Sequence, residues 1–264
     1  MPKIDATRAI AINTFRETVR DRVLYAFLIF ACLITVSGIL LGSLSVGQDI
    51  RIIEDIGLAV IAIIGGIITV FAGTNLVTKE IERRTVYVIF SKPVTSWQFI
   101  AGKYLGLAMC IFVMLCLMGT FLVLLVWMVD GTHQIQFHLP WLGSALALVY
   151  LELLFVLAMA TFFSTFSTPI MSVIFTLSLW FIGHLTGSLK ELSTMSSSAL
   201  VADILKGLYW VLPDLAGLTR VRAELAYGHA PSQEFVLFLL CYIAAYILLL
   251  LGMAAVVNER REFP

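Results

Sequence analysis

The sequence predicts an all-α integral membrane protein. It has six transmembrane helices, an N-terminal interfacial amphipathic helix, a short cytoplasmic helix between the second and third spans, and outer-leaflet helices before the last span. Three observations lead there. First, hydrophobic residues make up 60% of the 264 and charged residues only 13%. A soluble domain carries about 25% charge, so this chain lacks the polar side chains to cover a soluble surface, and its mean hydropathy is +0.99. Second, the apolar residues fall in continuous runs about as long as the roughly 20 residues that a helix needs to cross hydrocarbon. Barrel strands would alternate instead. Third, the cations are unevenly shared between the connections. Together these exclude a soluble enzyme, a disordered chain and a basic nucleic-acid binder; 17 Lys and Arg against 17 Asp and Glu leave no net charge.

The elements follow in order. Along residues 1–22 and into the first span, Ile12, Phe15, Val19 and Val23 recur at helical spacing, with Asn13, Arg16, Glu17 and Arg20 on other faces. That pattern suits a helix lying along the inner surface, or else an extension of the first span. The first span is expected over Val23–Leu44, the second over Ile56–Thr78 and the third over Tyr104–Val129. The fourth covers Leu139–Phe163, the fifth Pro169–Leu189 and the sixth Phe235–Val257. The first run is too long for a cleaved leader and no A-x-A site follows it, so it is expected to be retained. With the N-terminus inside, twelve Lys and Arg lie on inner segments and five on outer ones. This bias predicts cytoplasmic termini and, in a bacterium, the inner membrane.

The inner segment Lys79–Lys103 reads KEIERRTVYVIFSKPVTSWQFIAGK. Charge is concentrated at its start, and Pro93 disfavours helical geometry at Lys92. Ser91 or Ser96 offers a helix cap. Two short helical pieces flanking a turn are expected. A charged inner loop is also what the orientation bias alone requires, and periodicity does not separate the readings.

These residues resemble a known family. The E-x-x-x-x-T segment Glu80–Thr85, followed by SKPVTSWQFIAGKYLG from Ser91 to Gly106, is similar to the first cytoplasmic loop of type-2 ATP-binding-cassette (ABC) transporter permeases. A second similar stretch is LPDLAGLTRVRAELAYG, Leu212–Gly228, before the last span. Arg83 and Arg84 stand before the threonine where many members have a glycine. The resemblance implies a permease that pairs with a second permease copy or paralogue and binds a separate ABC ATPase subunit. That partner, not this chain, would hold ATP and Mg. It implies that the loop carries a coupling helix, with Glu80, Glu82, Arg83, Arg84, Thr85, Ser91, Lys92 and Pro93 as candidate contacts. Consistent with an outside motor, the only Gly-Lys is Gly102-Lys103, followed by Tyr104; a phosphate loop requires G-x-x-x-x-G-K-[ST]. No cofactor of its own is expected.

Within the membrane, Glu152 interrupts the fourth run and His184 lies in the fifth. A carboxylate there is costly and should face protein or water. It could serve as a gate or substrate contact, or as an interhelical hydrogen-bonding group; His184 is a possible partner that the sequence does not place beside it. Cys32, Cys110, Cys116 and Cys241 have no metal-ligand spacing and read as packing residues. Gly38/Gly42, Gly102/Gly106 and Gly183/Gly187 have small-xxx-small spacing and permit close helix approach, in a dimer among other settings. STFSTP, Ser164–Pro169, suits a tight turn. In the outer segment 190–233, Ser193–Ser198 reads as irregular. A helix over Ala199–Val211 places Leu200, Ile204, Leu208 and Val211 on one side, and a second follows Pro213, near Asp214–Tyr227.

The leading reading is the permease subunit of an ATP-driven exporter. A secondary transporter, a membrane-embedded enzyme and a non-transporting anchor of an ABC complex are the alternatives. An enzyme would need motifs such as G-x-S-x-G or H-E-x-x-H, neither of which occurs.

Overall fold

The computed structural model describes residues 3–20, 32, 36, 49–82, 95–130, 135–195, 199–226 and 232–260. Among these the chain is helical without strands. The helices are α1 (Lys3–Arg20), α2 (Asp49–Glu82), α3 (Ser96–Asp130), α4 (Ile135–Ser164) and α5 (Pro169–His184), then α6 (Thr186–Met195), α7 (Ala199–Val211), α8 (Ala216–Ala226) and α9 (Gln233–Arg260). Four of them contain segments long and apolar enough to cross a bilayer: Ile53–Asn75, Ser96–Trp127, Pro140–Ser164 and Gln233–Glu259. A fifth such element exists if α5 and α6, bent by 58°, form one broken span. The predicted first span, Val23–Leu44, and the pair Gly38/Gly42 lie outside the described residues, apart from helical positions at Cys32 and Val36.

The central element is α4, which packs against α2, α3, α5, α8 and α9. Its segment Phe155–Ala160 is almost wholly buried. Helices in lipid gain little from apolar burial and associate through close packing. Glycines on α2 supply that closeness here: a Cβ at Gly65 would meet Leu153 at 3.0 Å, and one at Gly73 would meet Ala160 at 2.7 Å. Two tyrosines bond across the α3–α4 contact. The Tyr104 hydroxyl donates to the Leu154 carbonyl (3.0 Å) and the Tyr150 hydroxyl to the Ala108 carbonyl (3.2 Å).

The third span begins earlier than the expected Tyr104, because helix starts at Ser96. Thr95 caps it, not Ser96, and Ser91 lies outside the described residues. The Gln98 amide N–H donates to Thr95 Oγ1 (3.4 Å) and the Thr95 N–H to Gln98 Oε1 (3.1 Å). This is the reciprocal T-x-x-Q capping box, which satisfies donors that a helix start leaves open. Lys103 does not end the span, since it is buried and its ammonium lies 5.0 Å from the Phe99 ring centre.

Helix α1 divides into three faces. Ala11 and Thr14 are buried against α3, where Cβ atoms at Gly102 and Gly106 would strike Ile10, the Thr7 carbonyl, Thr14 and the Ala11 carbonyl. The Gly102/Gly106 pair therefore holds α1 within the chain. The predicted apolar stripe is a different face: Ile12 is 37% and Val19 36% exposed. Asn13, Arg16 and Glu17 form the third, also exposed.

Four residues turn the chain from α4 into α5, as STFSTP predicts. Thr168 is extended (φ −71°, ψ 157°) and Pro169 opens α5, where its missing N–H costs no helical bond. The expected continuous fifth span, Pro169–Leu189, is corrected: helix breaks at Leu185. Ser193 is also not in an irregular stretch, because α6 runs to Met195. As expected, α7 spans Ala199–Val211, and its stripe of Leu200, Ile204 and Leu208 is exposed.

Candidate functional site

The break between α5 and α6 is made by backbone bonds that leave the helical ladder. The Leu185 N–H returns three residues to the Ile182 carbonyl (2.9 Å). The Gly183 carbonyl accepts from the Leu215 N–H, at 3.0 Å, in the segment between α7 and α8. Thus LPD, Leu212–Asp214, with Leu215 behind it, docks onto the end of α5. Gly183 permits this approach: its Cβ would lie 2.9 Å from Leu215 Cδ1 and 3.1 Å from the Pro213 carbonyl oxygen. The second small pair, Gly183/Gly187, accordingly packs inside the chain, with Gly187 facing Ala216. Two further bonds tie the segment down. The Thr186 hydroxyl donates to Asp214 Oδ1 (2.7 Å), and the Asp214 N–H donates to the Tyr242 hydroxyl of α9 (3.2 Å).

One residue before the break stands His184, and opposite it on α4 stands Glu152. The carboxylate is buried, 2% exposed. It accepts from the Trp180 indole N–H at 2.9 Å, and His184 Nε2 lies 3.2 Å from the same oxygen, Oε1. Trp180 and His184 are one turn apart, so they share a face. His184 Nδ1 is 3.0 Å from the Trp180 carbonyl. A carbonyl can only accept, so Nδ1 carries a hydrogen. Nε2 then faces a carboxyl oxygen, and a proton between the two completes the bond. Imidazolium with carboxylate, or imidazole with carboxylic acid, both satisfy it. Either form holds no net charge, which removes most of the cost of an isolated ion at this depth.

The indole is seated by α2. A methyl group at Gly66 would collide with the Trp180 ring, so glycine is required for Trp180 to reach Glu152. Trp180 and Gly66 were not singled out by sequence reasoning. The usable signal was Gly65-Gly66, a costly pair in a helix interior that invites a packing explanation.

The structure thus brings Glu152 and His184 together and adds the LPD segment beside them. Of the loop candidates, Glu80 and Glu82 are among the described residues. Glu80 and Glu82 form part of the end of α2, with Glu80 about 21 Å along the helix axis from Gly66 at 1.5 Å per residue. Arg83, Arg84, Thr85, Ser91, Lys92 and Pro93 lie outside the described residues. No group of three or more His, Cys, Asp or Glu suited to a metal ion occurs among the described residues.

With this geometry in view, comparison with known proteins finds one family model, described as ABC-2 family transporter protein, that matches residues 8–262. No curated protein matches the chain.

Proposed function

Because the chain belongs to the ABC-2 family of transporter proteins and is a multi-pass permease subunit of that kind, we propose that it is the membrane half of an ATP-driven exporter with six spans. In this reading the termini and the 79–103 loop face the cytoplasm of a bacterial cell. Two permease chains, identical or paralogous, form the passage. A separate ABC ATPase, which binds ATP and Mg, docks below on Glu80, Glu82, Arg83, Arg84, Thr85 and the Ser91-Lys92-Pro93 turn.

The observation that carries the proposal is the continuity of α2. It runs unbroken from Gly66, against Trp180, to Glu82 at the edge of the charged loop. A helix is stiff over that length, so displacement at the loop reaches the Glu152 site as a rigid-body shift. On the return side, α3 starts at a capping box and continues as one helix to Asp130. The loop is therefore flanked by two rods and is suited to transmit force. Charged side chains at its rim would fix register with the motor.

The test is copurification followed by kinetics. The chain should recover a soluble ABC ATPase in equal amount. Arg83→Glu with Arg84→Glu should reduce substrate-coupled ATP hydrolysis at least tenfold, the scale of a broken pair of docking charges at about 1.4 kcal/mol or more. Failure to recover an ATPase, or unchanged coupling, sinks the docking assignment. The Glu152–His184 pair favours one second reading, a proton-driven carrier. Transport that stops on collapse of the proton gradient while ATP persists would select it.

A further inference from the structure

The seam between α1 and the start of α3 holds a feature that transport does not use. A groove of about 820 Å³ runs along it, lined by Thr7, Arg8, Ala11 and Ile12 on one side and by Thr95, Trp97, Gln98, Leu105 and Met109 on the other. That volume lies within the range of small amphiphile sites. Ile12, Trp97, Leu105 and Met109 are all substantially exposed. The described residues leave these apolar surfaces partly open, although α1 and α3 are firmly joined on the adjacent small-residue face.

Arg8 is out of place by ordinary amphipathic logic. It lies one turn before Ile12 and lines the groove, which Arg16 does not. Among the described residues the lining holds the cation Arg8 and no acidic side chain. A long cationic side chain with an apolar stem can run along such a wall and present its planar head at the end. The required occupant therefore has an apolar tail and an anionic head.

We propose that this groove binds one anionic phospholipid, with its phosphate on Arg8 and an acyl chain along Ile12, Leu105 and Met109. The bound lipid fastens α1 to the first turns of α3, the rod that leaves the 79–103 loop. The site goes beyond the transport reading and requires only that α1 lie at the membrane surface.

The experiment uses the full chain reconstituted in mixed phosphatidylcholine and phosphatidylglycerol vesicles, extracted gently and weighed by native mass spectrometry. The wild type should retain one phosphatidylglycerol in preference to phosphatidylcholine. Arg8→Gln should lower that preference about fivefold, the effect of one cation near a charged lipid surface. Arg16→Gln, on the polar face, should leave it unchanged. Met109→Trp, which fills the groove and leaves Arg8 in place, should lower retention of the lipid and stands alone if Arg8→Gln does not fold. Equal preference in wild type and Arg8→Gln, equal loss in Arg16→Gln, or undiminished retention in Met109→Trp would each overturn the site. The assay contains no ATPase, so its failure is distinct from failure of the docking experiment.

Discussion

At the scale of single residues, the decisive choice is a carboxyl group placed where it is expensive. An ionised Glu152 in mid-membrane costs roughly 2.5–3.5 kcal/mol if unpaired. The indole N–H and His184 offset that cost by direct bonds at 2.9 and 3.2 Å. Interhelical hydrogen bonds in membranes contribute about 0.6 kcal/mol on average and up to about 1.7, so losses near the upper end are expected for this buried cluster. His184→Ala should cost about 1–2 kcal/mol, read as a lowered midpoint of thermal unfolding in detergent. In Glu152→Gln the position of Oε1, which both partners share, holds either the oxygen that accepts from Trp180 or the NH2 that donates to His184, so one bond is lost and the midpoint should fall by no more than in His184→Ala. Loss of transport in Glu152→Gln but not in Trp180→Phe, which gives up a bond and keeps the carboxyl group, would mark the proton, rather than the hydrogen bond, as functional. Retained transport would mark the cluster as structural. Gly66 belongs to the same argument, because the indole occupies the space where a side chain would sit.

At the scale of elements, close approach is assigned helix by helix. A side chain at Gly106 must push against the α1 backbone, at Ala11, which cannot yield as a flexible side chain would. Gly106→Leu should loosen α1 and cost about 1–3 kcal/mol, as overpacking does. Faster proteolytic removal of α1 from the purified chain would report it. Gly143 is the matched control, since nothing lies within 4 Å of an added Cβ. Gly143→Ala should be neutral or gain up to about 1 kcal/mol of helix propensity. The broken helix α5–α6 follows the same rule. Its bend is held by bonds from Leu215 and Asp214 to Gly183 and Thr186 and by the local turn from the Leu185 N–H to the Ile182 carbonyl, with no proline at the break.

At the scale of the whole molecule, arrangement about α4 was less legible than the elements themselves. The apolar runs around Ile56–Thr78, Tyr104–Val129, Leu139–Phe163 and Phe235–Val257 each mark a helix, because an unbroken hydrophobic stretch has one stable form in lipid. Helix ends were poorly marked: hydropathy falls at Lys103, yet helix continues through it, with Lys103 buried and its ammonium over the Phe99 ring. Sidedness provides the prediction at this scale. Single cysteines at Glu82 and Lys92 should react with a membrane-impermeant maleimide only after inverted vesicles are prepared. Reaction on intact cells would place the loop outside and remove any attachment to a cytoplasmic ATPase.

Composition and pattern by themselves determined that this chain lives in a membrane as helices, which stretches are apolar, and that Glu152 needs a partner. Those are properties of a segment and its solvent, and they require no knowledge of neighbours. Tertiary structure alone decided that the partner is His184 with Trp180, that Gly102 and Gly106 receive α1, and that the LPD segment bends the fifth element. Each of these depends on two residues distant along the chain meeting at a few ångströms. Periodicity carries one helix at a time and so contains no term for that meeting.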